Sequence, residues 1–288
     1  MGLNHTFFLL LAIAILLAWT VSYKKLGLYI FLLAIILGVV QHYITLQGLL
    51  VITILGLTHY WLKFKSLSIF FRIFLHGILI IFFVGFAYHL FPGFHPWKLI
   101  DQARLSLTSL PYTMYLQVEQ PIYGFLFLFF HNREKPTSKP WLEILRWSLT
   151  AFLGTSILLM VANYIHPIVA WEPKVLSAQF MFIWMIRMFF SVCLIEEAFF
   201  RGYIQATLIR LLHKYDYGIG LACLISACLF GFLYLPAGLP MFVMAMLAGL
   251  GYGYAYLKTG YLETAVITHF LINLAHMLLF SYPMLAII

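Results

Sequence analysis

Residues 179–204, QFMFIWMIRMFFSVCLIEEAFFRGYI, carry the most informative pattern of the chain. The apolar run in this stretch is as long as an α-helix needs to cross the hydrocarbon core of a bilayer, roughly 20 residues. Glu196, Glu197 and Arg201 stand near its end, among phenylalanines. We therefore predict a membrane-crossing helix over about 178–199 that carries charged groups where lipid normally excludes them.

The composition places the whole chain in a membrane. Of its 288 residues, 64% are hydrophobic and only 9% are charged, with 17 Lys and Arg and 9 Asp and Glu. An ordinary soluble domain has roughly a quarter of its residues charged. This composition excludes a water-soluble globule and leaves no room for a large domain outside the bilayer.

Apolar segments long enough for helices recur along the whole chain, and we predict an all-α, polytopic membrane protein with about eight to ten transmembrane helices. The segments lie at roughly 6–21, 26–41, 48–62, 67–90, 118–131, 141–165, 178–199, 218–235, 238–257 and 261–282. The segment at 118–131 is short for a crossing. The first has no signal-peptide pattern, so we expect it to be retained. Residues 92–117 are expected to form an outer loop or an interfacial helix, with Trp97 and Tyr112 at headgroup level.

The basic residues in the loops predict the orientation of these helices. Ten of them fall on one side of the predicted membrane and three on the other, so the first side is cytoplasmic and both termini lie outside. The ten are Lys24, Lys25, Lys63, Lys65, Arg133, Lys135, Lys139, Arg210, Lys214 and Lys258, and the three are Lys98, Arg104 and Lys174. They form no stripe that could follow phosphates, so a nucleic-acid partner is not expected.

The loop HNREKPTSKP, residues 131–140, is the candidate boundary between two domains, because charge and proline concentrate there. It would separate N-terminal helices without motifs (1–140) from a C-terminal helical core (141–288). Cys193, Cys223 and Cys228 lie in apolar runs without CxxC spacing, which indicates neither a disulfide framework nor a zinc site.

The two adjacent carboxylates are hard to explain by packing in lipid. On an α-helix Glu197 and Arg201 are four residues apart and can form an ion pair. Glu196 is turned about 100° away and remains available to a cavity. The alternative is that the helix has already ended and that all three residues are interfacial, although Phe199 and Ile204 continue the apolar pattern.

Two further polar positions lie in the apolar helices that follow. In LFGFLYLPAG, Phe230 and Tyr234 share a helix face, and Gly231 permits close approach of a neighbouring helix. If KYDYG (214–218) is a turn between antiparallel helices, Tyr234 comes level with Glu197.

A third group stands on one face of the last helix, where His269, Asn273 and His276 are four and then three residues apart. Taken alone, such residues could simply form hydrogen bonds between helices. Together with the glutamates, they are typical of a functional site.

These motifs resemble the signature of the CPBP family of intramembrane proteases, which includes type II CAAX prenyl endopeptidases and bacteriocin-processing and immunity proteins. The family pattern is EExxxR, then FxxxH, then HxxxN. Here the first motif is Glu196-Glu197-Ala-Phe-Phe-Arg201 and the third is His269-Phe-Leu-Ile-Asn273. The resemblance covers about residues 178–282.

The resemblance implies a glutamate-type protease. Glu196 would be the general base, Glu197 and Arg201 would hold the local geometry, and His269 and Asn273 would donate hydrogen bonds to the oxyanion. The second motif departs from the family, because Tyr234 replaces its histidine and a phenol does not take up a proton at neutral pH. Either Glu196 acts alone, or His276 moves in, or the chain is inactive.

The leading expectation is an intramembrane endopeptidase that cleaves a membrane-anchored or hydrophobic-tailed peptide or protein, in a bacterial inner membrane. The alternative is an inactive family member that acts as a membrane scaffold or immunity factor. A transporter would use buried Glu and Arg as an ion path, but the sequence has no inverted repeat. No cofactor is expected, and zinc is disfavoured because His269 would be the one imidazole beside two carboxylates.

Overall fold

The computed structural model describes residues 6–64, 66–131 and 140–286. Of this part 73% is helical, and its strands form one two-stranded sheet. Within it five helices are long and apolar enough to cross a membrane, and three apolar helices are shorter. The predicted all-α, polytopic membrane fold is confirmed.

The described residues form two compact units. The first contains the residues up to Leu99 and those from Tyr115 to His131. Its helices are α1 (Thr6–Trp19), α2 (Lys24–Val40), α3 (Leu46–Trp61), α4 (Ile69–Ala87) and α5 (Glu119–His131).

Helix α5 is the buried centre of the first unit and packs against the four other helices. Phe31 of α2 stacks on Phe125 at 3.9 Å between ring centroids. Histidines contact both ends of α5. Its first residue, Glu119, is hydrogen-bonded to His89, and its last residue, His131, lies 2.9 Å from His59. Helix α5 has 13 residues, fewer than a helix needs to cross the hydrocarbon core of a bilayer. It can be this short because other helices of the unit enclose it and it does not face lipid.

The second unit contains residues 100–114 and the described residues from Pro140 onward. Its helices are α6 (Trp141–Ile165), α7 (Ala178–Arg187), α8 (Leu194–Glu197), α9 (Ala206–Leu212), α10 (Gly218–Phe232), α11 (Leu239–Thr259) and α12 (Leu262–Leu279). Helices α7, α8 and α9 are parts of one continuous helix, Ala178–Leu212, and are joined by π-helical segments at Met188–Cys193 and Ala198–Gln205.

Small and hydroxylated residues let α6 lie close to α11 and α12. A Cβ at Gly251 of α11 would lie 1.8 Å from the Thr155 hydroxyl of α6, so only glycine fits there. The Ser148 hydroxyl of α6 donates to the carbonyl of Thr264 at 3.2 Å, and Thr268 donates to the carbonyl of Ser148 at 3.4 Å. Close packing with hydroxyl hydrogen bonds is the usual way in which membrane helices associate.

The sequence predicted an outer loop or an interfacial helix for residues 92–117. The structure shows no helix in this region but two strands, β1 (Trp97–Ala103) and β2 (Tyr112–Leu116), and its position outside the membrane stays a prediction. In β2, Tyr112 and Met114 are buried and alternate with less buried residues, as the period of a strand requires. Paired strands satisfy the backbone hydrogen bonds of this segment.

Three separate segments of the second unit join in a structure that we call the cap: residues 106–110, 168–174 and 279–286. Backbone bonds of 2.9 Å run from Leu110 to Met284, from Leu285 to Ile168 and from Ser281 to Ala170. The carboxylate of Glu172 accepts hydrogen bonds from the amide of Leu107 and the hydroxyl of Thr108.

Residues 132–139 of the predicted boundary loop lie outside the described residues, and so do Lys65, Arg133, Lys135 and Lys139 of the charge count. The boundary after residue 140 therefore stays a prediction, as does the orientation of the chain.

Candidate functional site

The adjacent glutamates stand in the middle of the helix Ala178–Leu212. They end α8, a single α-helical turn between the two π-helical segments. The helix continues through Arg201, so the alternative of an ended helix is wrong. A π-turn widens a helix locally and occurs frequently at functional sites.

The predicted ion pair between Glu197 and Arg201 is present. Arg201 donates from Nη1 to Oε1 of Glu197 at 3.0 Å, and neither side chain is exposed. The same Oε1 also lies 2.8 Å from Nδ1 of His269 on α12. Since a carboxylate accepts, Nδ1 carries the proton, and Glu197 fixes the tautomer of a neutral ring.

Arg201 has further partners on α10 and α11. Its Nη2 donates to the carbonyl of Gly249 at 2.7 Å. Its guanidinium lies over the rings of Phe230 and Tyr252, at 4.8 and 5.3 Å from their centroids. A Cβ at Gly249 would be 3.2 Å from Nη2, so the glycine leaves room for the cation. The buried charge is thus compensated by an anion, a carbonyl and two aromatic faces.

The ring of His269 is held on both face and edge. Tyr252 stacks on it with centroids 4.4 Å apart and planes within 13°, and Phe230 meets it at 88°. The remaining nitrogen, Nε2, lies 4.0 Å from Oε2 of Glu196. This distance is too long for a direct hydrogen bond, but a water molecule that bonds to both atoms fits it.

Tyr234 also contacts Glu196. Its hydroxyl donates to Oε2 of Glu196 at 3.4 Å. The two residues come level because Lys214–Gly218 form the predicted turn. Gly231 lets α11 approach α10 closely, since a Cβ at this position would lie 2.9 Å from the carbonyl of Phe242. Tyr234 lies just beyond α10 and not within it, since Pro236 cannot continue the helix.

Asn273 and His276 extend the site along α12. The Asn273 amide donates to the sulfur of Met188 at 3.2 Å, which is a weak acceptor that a better one could replace. His276 lies 3.3 Å from the carbonyl of Ser281, in the cap, and its ring packs on Tyr282.

A cavity of about 420 Å³ reaches these residues, and its wall is mostly apolar. Tyr234, His269, Asn273 and His276 line it together with side chains of α6 and α11. Glu196 is not a lining residue. Its carboxylate lies beside Tyr234 and His269, with 19% of the side chain exposed.

Sequence reasoning missed the contacts that orient His269. Glu197 was expected to serve Arg201 alone, and Tyr252 was not considered. The spacing Gly249, Gly251, Gly253 in an apolar helix was the available signal, because it marks a face where polar side chains and neighbouring helices come close. Gln205 donates to the carbonyl of Gly253 in the same way, at 3.1 Å.

Residues 177–275 match the profile of a family described as type II CAAX prenyl endopeptidase Rce1-like. The match covers about a third of the chain and spans the positions of all three motifs, of which the second has Tyr234 in place of histidine, and it agrees with the resemblance to the CPBP family. The chain is thus similar, over these residues, to a family of CAAX-type prenyl endopeptidases. No curated protein and no solved structure shows a significant match to the chain.

Proposed function

We propose that the similarity to CAAX-type proteases extends to catalysis, and that this protein is a glutamate-dependent intramembrane endopeptidase. Its substrate would be a membrane-anchored or hydrophobic-tailed polypeptide, in a bacterial inner membrane. The observation that supports this most is the position of Glu196 Oε2, within 3.4 Å of the Tyr234 hydroxyl and 4.0 Å of His269 Nε2, beside the cavity.

In this proposal Glu196 takes a proton from a water molecule, which attacks the carbonyl carbon of the scissile bond. The carboxylic acid then returns the proton to the leaving nitrogen. Asn273 and His269 donate to the oxyanion, a contribution of roughly 3 kcal/mol per donor. Because Nδ1–H of His269 donates to Glu197, Nε2 can donate to the oxyanion only if the ring enters the reaction already protonated, as an imidazolium. The proton that Glu196 takes from water goes to the leaving nitrogen and not to this ring.

At position 234 a tyrosine hydroxyl stands where the family has a histidine, so a hydrogen-bond donor takes the place of a group that can accept a proton. The hydroxyl of Tyr234 would orient Glu196 or the water, and Glu196 would carry the base role alone. His276 is engaged with the cap, which argues against its replacing the missing histidine. The same replacement favours a second candidate function, an inactive scaffold or immunity factor, because the family's second motif is incomplete.

Glu196→Gln tests the proposal. The amide is isosteric, so the fold persists, while loss of the base lowers the rate about 10²–10⁴-fold. The measurement compares membrane-protein fragments, by quantitative mass spectrometry, in cells that carry the parent chain or the variant. Glu143→Gln is the matched control, since this carboxylate is exposed on α6 and should not matter.

Two further variants separate enzyme from scaffold. His269→Ala should abolish cleavage, and Tyr234→Phe should cost about 1 kcal/mol, or several-fold in rate. If the fragments are the same in Glu196→Gln, His269→Ala and the parent, the protein acts by binding and the protease proposal is wrong.

A further inference from the structure

The cavity extends from the middle of the second unit toward one end. It is lined by the C-terminal half of α6, from Phe152 to Asn163, and by α11 from Met241 to Tyr252, mostly along its N-terminal half. Successive helices joined by short turns run antiparallel, so these halves belong to the same end as the cap. Ile168, Val169 and Phe280 of the cap are themselves lining residues.

The cavity opens sideways. Leu153 and Met160 of α6 line it and are also 60% and 52% exposed on the outer surface of the helix. The face of α6 that carries them is apolar and contacts lipid in a membrane. The cap lies over the end of the cavity, so the side at which Leu153 and Met160 face the hydrocarbon region is the route by which a ligand would enter.

Basic residues identify the leaflet. Arg210, Lys214 and Lys258 stand at the end of the second unit away from the cap. In the sequence, Arg133, Lys135 and Lys139 precede α6, which starts at that same end. The cap end carries Arg104 and Lys174, and the ammonium of Lys174 donates to the carbonyls of Met277 and Phe280. By the positive-inside rule, the cap end is extracytoplasmic.

We infer that the cavity takes a short, apolar, extended stretch of a membrane-anchored polypeptide, and that this stretch enters from the extracytoplasmic half of the bilayer. The inference deepens the proposed function and rests on it for what happens after binding. A polypeptide is favoured over a lipid chain because Ser156, Asn273 and His276 place polar groups along the wall, where peptide groups could bond to them. The Asn273 amide donates only to the sulfurs of Met188 and Cys193 among the described residues, and a peptide carbonyl is a better acceptor, whereas a hydrocarbon chain offers it none.

The side of the membrane on which the cap end lies is tested by labelling introduced cysteines with a membrane-impermeant maleimide. Val175→Cys is at the cap end and Tyr217→Cys at the other end, and both parent residues are well exposed, 100% and 67%. We expect Val175→Cys to react in intact spheroplasts and Tyr217→Cys to react only after permeabilisation. The parent chain is the control for its own cysteines, two of which are buried. The reverse pattern would overturn the inference.

Binding is tested by photocrosslinking in the Glu196→Gln chain, which separates it from catalysis. Benzoylphenylalanine is introduced at position 160, or at position 142 as a control that is exposed on α6 but distant from the cavity. The probes are two single-span reporter proteins with the same apolar flank, placed outside the membrane in one and in the cytoplasm in the other.

We expect position 160 to crosslink to the reporter with the outer flank at least tenfold more than to the other, and position 142 to show no such preference. Equal crosslinking, or preference for the cytoplasmic flank, would overturn the choice of leaflet. No crosslink to either reporter would show that the cavity holds lipid and not polypeptide, and would overturn the inference. If crosslinking succeeds while the parent chain cleaves nothing, the inference stands and the proposed protease activity fails.

Discussion

Oε1 of Glu197 accepts hydrogen bonds from two side chains, Arg201 on its own helix and His269 on α12. A single buried oxygen thus joins the cation that neutralises the site to the imidazole that faces Glu196. Removal of either donor leaves the carboxylate less well compensated, and a buried carboxylate without its partner is costly.

Arg201→Ala should therefore lower stability by about 3–5 kcal/mol, since it strands the buried carboxylate of Glu197. We expect a smaller folded fraction, measured as the monodisperse peak in size-exclusion chromatography in detergent, and a lower midpoint of thermal unfolding. Arg210→Ala is the control, because Arg210 is exposed on the same continuous helix. A normal yield of monodisperse Arg201→Ala protein would show that the ion pair contributes little.

For individual residues, the sequence predicts contacts between neighbours on one helix but not contacts between residues that are far apart in the chain. The spacing of Glu197 and Arg201 predicted their ion pair, because four residues bring two side chains onto one helix face. His269 is 72 residues from Glu197, and no periodicity relates the two positions. The catalytic roles of all six motif residues, Glu196, Glu197, Arg201, Tyr234, His269 and Asn273, stay predictions.

Among the elements, the contact of α6 with α11 depends on the absence of one side chain. Gly251→Ala should cost about 1–3 kcal/mol, since its Cβ would overlap Thr155 and both helices would have to shift. Gly154→Ala on α6 is the matched control: nothing lies within 4 Å of its added Cβ, so alanine should be neutral or slightly stabilising. Equal midpoints of thermal unfolding for the two variants would contradict the close approach.

The cap should loosen in acid. Hydrogen bonds, first of all from the amide of Leu107, hold the pKa of Glu172 below its ordinary value of 4.5. A lowered folded pKa means that the stabilisation is complete above the unfolded pKa and is lost as the pH falls through the folded pKa. Hydrogen exchange, corrected for intrinsic rates, should show protection of residues 106–110 decreasing below about pH 4.5. In Glu172→Gln this protection should be independent of pH, and a parent chain without pH dependence would contradict the prediction.

The sequence predicted most helices from their apolar length, including the short segment at 118–131, which is α5. That four helices surround α5 is shown by the structure alone. The sequence failed where backbone pairing between strands replaces a helix. The strands β1 and β2 were missed because the alternation in five to seven residues is weak beside long apolar runs. The π-helical segments beside Glu196 follow from no propensity rule, and only the structure shows them.

In the whole molecule, composition alone predicted a helical membrane protein, because a chain with this few charges cannot cover a soluble surface. The composition and the predicted boundary loop could not assign residues 100–114, which join the second unit although they precede α5 in the sequence. Contacts between distant segments, as in the cap, carry no signature in local hydropathy.

The orientation of the chain leads to a test on its C-terminal end. Helix α12 runs from the basic end of the second unit toward the cap, so an epitope tag placed after residue 288 should be digested by protease added to intact spheroplasts. The same tag inserted between Tyr215 and Asp216 should be protected until the membrane is opened. Protection of the C-terminal tag in intact spheroplasts would show that the charge count assigns the wrong side.

The cap also sets an order for assembly during synthesis. Its three segments, 106–110, 168–174 and 279–286, leave the ribosome at well separated times, and contacts of such long sequence separation form late in folding. Glu196 is inserted into the membrane long before Phe280 can close the wall of the cavity. A nascent chain therefore holds its glutamates before the cavity is complete, and the wall of the cavity closes only when α12 and the residues that follow it have docked.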